Sequence, residues 1–204
     1  ELAVEHLTQL HETLRLCDRL AQEGIAVIVL KGRSTAVELY APRPEVRQAK
    51  DIDLLVEPAH FETAGRLLEE SGYRHAFPEF HATPQGDTML RHLLNAYCYI
   101  HKQSGVNVEL HHRLLNNPFV MALPFAELAR EAQSLDVGGG SLCSLGATHR
   151  MAYFCAHGAG HAYFRLKWLA DVVRAFVPLS AEQIQAAARL ASPEKLSLQP
   201  FSAV

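Results

Sequence analysis

Apolar and polar positions follow strand-like patterns in four short stretches of the chain. Residues 25–30 are apolar throughout, which is typical of a strand buried on both faces. Residues 51–56 begin with alternating acidic and apolar side chains and end in an apolar run. Residues 96–101 and 106–111 lie on either side of a Ser-Gly turn, which indicates a β-hairpin. The three glycines at 138–140 predict the tip of a further hairpin.

Apolar residues recur at helical spacing between and after these strands. The helix predicted for residues 2–23 ends at Gly24, a residue type suited to a helix C-terminus. Residues 73–88 carry no clear pattern, so we expect a loop or a short edge strand there, followed by a helical turn at 89–95. From residue 147 onward the pattern is helical. The mixture of strands and helices predicts an α+β protein.

The composition narrows the function only by exclusion. The chain has 204 residues, of which 49% are apolar and 20% are charged, and this supports a sizeable core. A net charge of −3 argues against a partner held by bulk positive charge, such as nucleic acid, and no apolar run is long enough for a membrane span. The four cysteines show no CxxC and no disulfide-like spacing, so we expect a cytoplasmic protein. Because the chain begins with Glu1, one interpretation is that an N-terminal piece is missing.

Two acids open the strand predicted at residues 51–56. Because side chains on a strand alternate between its faces, Asp51 and Asp53 share one face and repel each other. A divalent cation such as Mg²⁺ would relieve this repulsion, since it binds one or two carboxylates together with substrate phosphates. The alternative is a solvated strand end that holds two aspartates without a chemical role.

The second strand of the predicted hairpin carries another acid. Asn107, Glu109 and His111 share one face of this strand, and apolar residues share the other. We expect Glu109 to face Asp51 and Asp53 from the adjacent strand and to complete a three-carboxylate metal site. The alternative is the solvent-facing side of an edge hairpin. His111 would orient the acids, act as a general base, or serve a structural purpose.

A polar turn with the sequence KGRST follows the first predicted strand and leads into a helical pattern. Backbone N–H groups at a strand-to-helix turn are free to bind an anion, and Gly32 lets a ligand approach the backbone. Lys31 or Arg33 could offer charge to a phosphate, and Ser34 or Thr35 could offer a hydroxyl. The alternative is a plain connection between a strand and a helix.

These features together resemble the nucleotidyltransferase superfamily, and more narrowly the poorly characterised bacterial nucleotidyltransferases with an LKG turn and a DIDLLV strand. The resemblance covers residues 25–114. It departs from the usual pattern where Arg33 follows Gly32 in place of serine or glycine, which leaves Ser34 one position late. The residues that carry it are Lys31-Gly32-Arg33-Ser34, Arg47, Asp51-Ile52-Asp53 and Glu109 within Val-Glu-Leu-His.

The resemblance implies a mixed β-sheet flanked by helices, and transfer of a nucleoside monophosphate from an NTP with the help of Mg²⁺. It implies that Asp51, Asp53 and Glu109 are the catalytic, metal-binding acids. It also implies that the turn at Gly32 and Ser34 binds the triphosphate. The basic loop before the acids, which includes Arg47, is consistent with further triphosphate contacts and equally with plain charge balance. The expected nucleotide-binding residues in this part of the chain are Lys31, Gly32, Ser34 and Arg47.

The predicted C-terminal helices carry a second set of polar residues. His157 and His161 are four residues apart, so they share one helix face. A further helix is expected to carry Tyr163, Arg165, Lys167, Trp168 and Asp171. In one interpretation these helices line the cleft opposite the sheet, and Arg165 binds the nucleotide. In the other they form a polar network around Trp168.

The sequence therefore predicts an enzyme with a nucleotidyltransferase-like α+β core at residues 1–145 and a helical region at 146–204. The expected reaction is Mg²⁺-dependent transfer of AMP from ATP to a small molecule or a protein. One alternative is a scaffold that binds nucleotide without turnover. Another is a metal hydrolase that uses His111, His112, His157 and His161.

Overall fold

A computed structural model describes residues 2–78 and 84–191 and contains a seven-stranded mixed sheet. The strand order across the sheet is β3-β4-β5-β2-β1-β7-β6. The strands are β1 (Val27–Val29), β2 (Asp51–Val56), β3 (Tyr73–Phe77), β4 (Ala96–His101), β5 (Asn107–His111), β6 (Gln133–Asp136) and β7 (Ser141–Ser144). The predicted α+β class is confirmed. Of the unpatterned stretch 73–88, residues 73–77 form the edge strand β3, residues 79–83 lie outside the described residues, and a helix begins at residue 84.

Helices precede, separate and follow these strands. Helix α4 is longer than the predicted helical turn and begins before it. The helices are α1 (Leu2–Gln22), α2 (Arg33–Leu39), α3 (Phe61–Glu70), α4 (Pro84–Leu93), α5 (Phe125–Arg130), α6 (Ala147–Gly160), α7 (Leu166–Phe176) and α8 (Ala181–Leu190). Short 3-10 turns lie at Pro44–Val46 and Pro58–His60. Within the described residues, no helix is both long enough and apolar enough to cross a membrane.

The chain divides into two compact units. The first comprises Glu1–Asn116 and Leu123–Gly146, and the second comprises Asn117–Ala122 and Ala147–Val204. The first unit holds the sheet and a core made by one face of β2 and β5 together with α1 and α3. The predicted division into a core at residues 1–145 and a helical region at 146–204 stays a prediction.

The pairing of β2 with its two neighbours determines which polar side chains meet. β2 runs antiparallel to β1 and parallel to β5. In the β2–β5 register, Asp53 lies opposite Glu109, and Asp51 lies opposite Asn107. The intervening residues of both strands point into the core, where Leu54 and Leu110 are fully buried. The alternation therefore separates an apolar face from a polar face across both central strands.

The second unit differs from the sequence prediction where α6 ends. Ala162 and Tyr163 have φ angles of 49° and 48°, so the chain leaves the helical conformation there, and α7 begins only at Leu166. The Tyr163 ring lies against Gly158, where an added Cβ would come within 2.2 Å of a ring carbon. Tyr163 and Arg165 consequently lie in the connection and not on the predicted helix, whereas Trp168 is on α7.

Candidate active site

A sharp turn between β1 and α2 brings the chain against the start of β2. Leu30 donates its N–H to the carbonyl oxygen of Asp53 at 3.0 Å. Gly32 has a φ of +88°, and a Cβ there would lie 3.2 Å from the carbonyl oxygen of Asp51. Only glycine combines this backbone conformation with this close approach at low cost. The turn therefore places Lys31 directly beside the two acids of β2.

The Lys31 ammonium group contacts two carboxylates from different strands. It donates to the Asp53 carboxylate and lies 3.7 Å from Oε2 of Glu109. The Lys31 side chain is 13% exposed and that of Asp53 only 2%. A carboxylate buried to this degree is costly without a partner, and Lys31 provides the compensating charge.

His111 approaches the same two carboxylates from the end of β5. Its Nε2 lies 3.2 Å from Oδ1 of Asp53 and 3.5 Å from Oε2 of Glu109. On its other side, Nδ1 lies 3.2 Å from Nδ2 of Asn95, which also donates to the carbonyl oxygen of Leu114 at 3.1 Å. Because the Asn95 amide presents its nitrogen, Nδ1 of the neutral imidazole accepts and Nε2 donates toward the acids.

The surroundings displace the pKa values of Asp53 and His111 in opposite directions. Burial raises the pKa of Asp53, but the charges and hydrogen bonds of Lys31 and His111 outweigh burial and hold the pKa well below its usual range. Burial lowers the pKa of His111, but its hydrogen bonds to Asp53 and Glu109 outweigh burial and leave the pKa raised. These opposite displacements indicate a charged Asp53 held by two positive or proton-donating neighbours.

Asp51 experiences the opposite environment from Asp53. Burial is the largest cause of the raised pKa of Asp51, and the neighbouring charges of Asp53 and Glu109 raise it further. Lys31 and a hydrogen bond with Asn107 lower the pKa of Asp51 but do not offset the rise. Asp51 is therefore a carboxylate whose charge the protein only partly compensates.

The site fits a divalent cation. Asp53, Glu109 and His111 each offer a ligand atom, and these atoms all lie within 4.8 Å of one another. Carboxylate oxygens suit Mg²⁺ and Mn²⁺, and an imidazole nitrogen adds affinity for transition metals. This group differs from the predicted set, because His111 is included and Asp51 lies beside it. The metal role of Asp51, Asp53 and Glu109 stays a prediction.

Two of the predicted nucleotide-binding side chains lie behind the turn. Ser34 is fully buried, and its hydroxyl donates to the carbonyl oxygen of Lys31 at 3.5 Å. Arg47 is also buried and donates to the carbonyl oxygen of Gly32 at 3.4 Å. Both side chains hold the turn in place in this conformation. Their contact with a phosphate stays a prediction.

Arg33, which breaks the family pattern, points away from the acids. Its guanidinium donates to Oε1 of Gln9 at 2.7 Å and to the carbonyl oxygens of Arg47 and Ala49 at 3.5 and 3.4 Å. It also lies 3.3 Å from Nδ1 of His6. Arg33 therefore ties the turn to α1 and to the loop before β2. This contact explains why an arginine can follow the glycine.

The remaining histidines of the hydrolase hypothesis make other contacts. His112 directly follows the last residue of β5, and its Nε2 lies 2.9 Å from the carbonyl oxygen of Leu94. His157 and His161 belong to the second unit, where their rings lie 5.3 and 4.9 Å from the ring of Trp168. Within the described residues, only His111 among these four joins a cluster that could hold a metal.

Arg165 also belongs to the second unit. Its guanidinium lies over the ring of Trp168 at 5.5 Å and over that of Phe164 at 5.3 Å. These contacts agree with the predicted network around Trp168, although that network is aromatic rather than purely polar. Binding of a nucleotide by Arg165 stays a prediction.

Solved structures with the same architecture show the fold. The solution structure of the antibiotic-resistance factor ANT(2'')-Ia is 13% identical with a TM-score of 0.61, and the match covers 96% of this chain and 95% of that one. The crystal structure of ANT(2'')-Ia in complex with adenylyl-2''-tobramycin is also 13% identical, with a TM-score of 0.58 and coverage of 90% and 95%. Lincomycin-bound LnuA, a lincosamide antibiotic adenylyltransferase, is 14% identical with a TM-score of 0.51 and coverage of 83% and 97%. At these identities the likeness establishes a nucleotidyltransferase fold.

The sequence itself gives the family. The chain belongs to a family described as uncharacterised nucleotidyltransferases, which matches residues 1–203. No curated protein matches the chain. The membership confirms the resemblance drawn from the LKG turn and the DIDLLV strand, and it identifies the protein as a nucleotidyltransferase.

Proposed function

We propose that this chain transfers AMP from ATP to a hydroxyl group of a small molecule, with Mg²⁺ held by Asp51, Asp53 and Glu109. The observation that carries this proposal is the pairing of Asp53 with Glu109 across β2 and β5, next to the glycine turn. The pairing gathers acids from two strands at one point, as a metal-assisted transfer of a charged group requires. Family membership supports an NTP as the donor.

The residues of this site would position the reactants and keep the acids ionised. A bound divalent cation would neutralise phosphate charge and lower the pKa of the attacking hydroxyl. Asp53 stays ionised because Lys31 and His111 support its charge. His111 donates from Nε2 and so fixes the direction of the Asp53 carboxylate, and Asn95 fixes the His111 ring. Such supporting contacts determine the geometry of metal ligands.

The partly compensated charge of Asp51 supports the metal role. Its pKa is raised because of its burial and because it shares a face with Asp53 and Glu109. A protein that binds no cation would gain stability by losing this charge, since like charges on neighbouring strands repel. The presence of Asp51 in this position is therefore consistent with a positive partner that binds during function. The turn residues Lys31, Gly32, Ser34 and Arg47 would bind the triphosphate directly or hold the backbone that does.

Two solved structures suggest the class of acceptor. ANT(2'')-Ia is seen with adenylyl-2''-tobramycin, and LnuA is a lincosamide antibiotic adenylyltransferase seen with lincomycin. Both structures hold a small molecule. We extend this class of acceptor to the present chain, and a protein acceptor is the other outcome of the test.

The test is to incubate the protein with Mg²⁺ and each NTP labelled at the α-phosphate, together with either hydroxyl-bearing small molecules or a cell extract. We expect label from ATP to enter a small-molecule product. Glu109→Gln should abolish the labelled product, because it removes a charge from the site. The matched control is Glu69→Gln, because Glu69 is an exposed acid on α3. This variant should form the labelled product at the normal rate. Label that enters only protein would show that the acceptor is a protein and not a small molecule. Absence of labelling with all NTPs would refute the transfer reaction.

A further inference from the structure

The Lys31 ammonium occupies the position in which carboxylates of the site would hold a cation. It contacts Asp53 and lies 3.7 Å from Oε2 of Glu109. These are two of the residues whose ligand atoms lie within 4.8 Å of one another. The contact draws Lys31 inward, since the side chain is only 13% exposed. A positive group from the protein itself is therefore bound at the acidic cluster.

An ammonium group and a divalent cation cannot share this position. Both are positive, and like charges a few ångströms apart in a poorly hydrated site repel strongly. The lysine also neutralises less charge than the cluster carries, because Asp51, Asp53 and Glu109 lie on the same face of two paired strands. Lys31 thus compensates the charge of the acids only in part.

Lysine is suited to leaving this position when another anion becomes available. Its ammonium is a compact charge on a flexible four-carbon stem, so it can move between anionic partners without any backbone change. Lys31 immediately precedes Gly32, in the turn that the proposed function assigns to the triphosphate. A bound triphosphate would offer the ammonium a second set of negative oxygens.

We propose that Lys31 is a positioning residue that fills the cation position in the nucleotide-free protein and moves to the triphosphate when nucleotide binds. This inference rests on the proposed function. It means that the divalent cation and the nucleotide enter the site together, and that the free protein binds the cation weakly. The acids are thereby protected from holding a metal ion when no nucleotide is present.

The test uses Mn²⁺ as the probe and measures its dissociation constant by the electron paramagnetic resonance signal of free Mn²⁺, with no nucleotide added. Lys31→Met removes the charge and keeps the length of the side chain. We expect Lys31→Met to bind Mn²⁺ about tenfold or more tightly than the wild type. The matched control is Lys102→Met, because Lys102 is an exposed lysine in the β4–β5 turn, and its Mn²⁺ affinity should equal that of the wild type.

A second measurement examines the other half of the proposal. Binding of a non-hydrolysable ATP analogue in the presence of EDTA should be weaker for Lys31→Met than for Lys102→Met, since the ammonium has to meet the phosphates. A lysine with a purely structural role would lower or preserve Mn²⁺ affinity when removed. An unchanged or lowered Mn²⁺ affinity of Lys31→Met therefore overturns the proposal.

The variant also has to be examined for folding, because Asp53 loses its partner. If Lys31→Met is unstable in metal-free buffer, Mn²⁺ should raise its melting temperature more than that of the wild type. An equal or smaller rise overturns the proposal, and Lys31→Gln, which keeps a hydrogen-bond donor, repeats the comparison. These binding measurements need no turnover. A gain in Mn²⁺ affinity combined with no transfer from any NTP would refute the proposed function and still support the exchange of lysine for metal.

Discussion

The sheet and the C-terminal helices each gather histidine and basic side chains, but around opposite kinds of centre. In the sheet, Lys31 and His111 surround the buried carboxylate of Asp53. In the helical unit, His161 and Arg165 lie against the ring of Trp168, at 4.9 and 5.5 Å. The first centre carries negative charge that a cation can neutralise. The second centre is the aromatic ring of Trp168, which already has the guanidinium cation of Arg165 beside it.

This difference distinguishes an acidic cluster that could hold a cation from a cluster held by ring packing. The acids of the sheet remain partly uncompensated, as the raised pKa of Asp51 shows. The helical cluster is held by ring contacts, since the rings of His157 and His161 lie 4.7 Å apart and each also contacts Trp168. Similar residue types in the two units are therefore expected to have different roles. Variants in each unit can test this difference.

The largest expected contrast is between two buried aspartates, one in each unit. Asp53 and Asp171 are 2% and 3% exposed. Asp53→Asn should lower the rate of nucleotidyl transfer by a factor of about 10²–10³, because it removes a charge that acts on the transition state. Asp171→Asn should leave the rate of transfer unchanged and lower the melting temperature, because Asp171 is engaged by neighbouring groups in the fold. Rates measured with folded samples of both variants provide the check.

A normal rate for Asp53→Asn would contradict the proposed metal-binding role of β2. It would also contradict the proposed difference between the two units. A comparable loss of rate for Asp171→Asn would instead show that the helical unit takes part in the chemistry. In both variants, the melting temperature and the circular dichroism spectrum show whether a loss of rate reflects unfolding.

The next contrast lies within β2 and concerns stability without metal. Asp53→Asn should lower the free energy of unfolding by about 3 kcal/mol, because it leaves Lys31 beside a neutral partner. Asp51→Asn should raise the free energy of unfolding by about 0.5 kcal/mol, after discounting for its partial exposure, because it relieves repulsion. Relief of the repulsion between Asp51 and Asp53 would by itself stabilise Asp53→Asn, but loss of the ion pair with Lys31 outweighs it. Urea unfolding in EDTA measures both changes in the free energy of unfolding. Changes of the same sign would contradict the expected difference between Asp51 and Asp53.

The pH dependence of stability sharpens the description of the sheet centre. The pKa of His111 is raised in the folded protein by its hydrogen bonds to Asp53 and Glu109, which outweigh burial. Protonated His111 therefore stabilises the fold fully below the unfolded pKa of about 6.5, and this contribution disappears as the pH rises through the folded pKa. Relative to His111→Asn, the wild type should lose up to about 1.4 kcal/mol per pH unit in that window. Unfolding curves at several pH values in EDTA measure this, and parallel profiles would show that the imidazole is not linked to the acids.

The main strands and the central acids could be predicted from the sequence because both follow from alternation. The apolar run at 25–30 and the alternating stretches at 51–56 and 106–111 correspond to β1, β2 and β5 with slightly different ends. The expectation that Glu109 lies on a strand adjacent to Asp53 is confirmed by the β2–β5 register. Alternation gives the face of each side chain, and the need of a mid-strand acid for a partner suggested the neighbouring strand.

The contacts of long or distant side chains could not be predicted in the same way. Asn95 lies just before β4 and meets His111 only because β4 and β5 pair antiparallel. Lys31 was expected to meet phosphate, but its contact with Asp53 depends on a flexible side chain and on the turn at Gly32. The left-handed backbone conformation of Tyr163 was not predicted, because the apolar pattern through this region is helical. Glycine is the residue type that normally indicates a positive φ, and tyrosine does not.

The smallest expected effect concerns Arg165, and it tests whether the helical unit is only an aromatic packing centre. The guanidinium lies over Phe164 and Trp168, and a cation over an exposed aromatic ring contributes about 0.5–1 kcal/mol. Arg165→Ala should therefore lower the melting temperature slightly and leave the dissociation constant for ATP unchanged. Ser34→Ala is the comparison at the turn and should weaken ATP binding, because loss of a buried hydroxyl loosens the Lys31 carbonyl that it contacts. Titration of an ATP analogue into both variants, with melts of the same samples, distinguishes them. Weaker ATP binding by Arg165→Ala at an unchanged melting temperature would show that Arg165 takes part in nucleotide binding and is not only a packing residue.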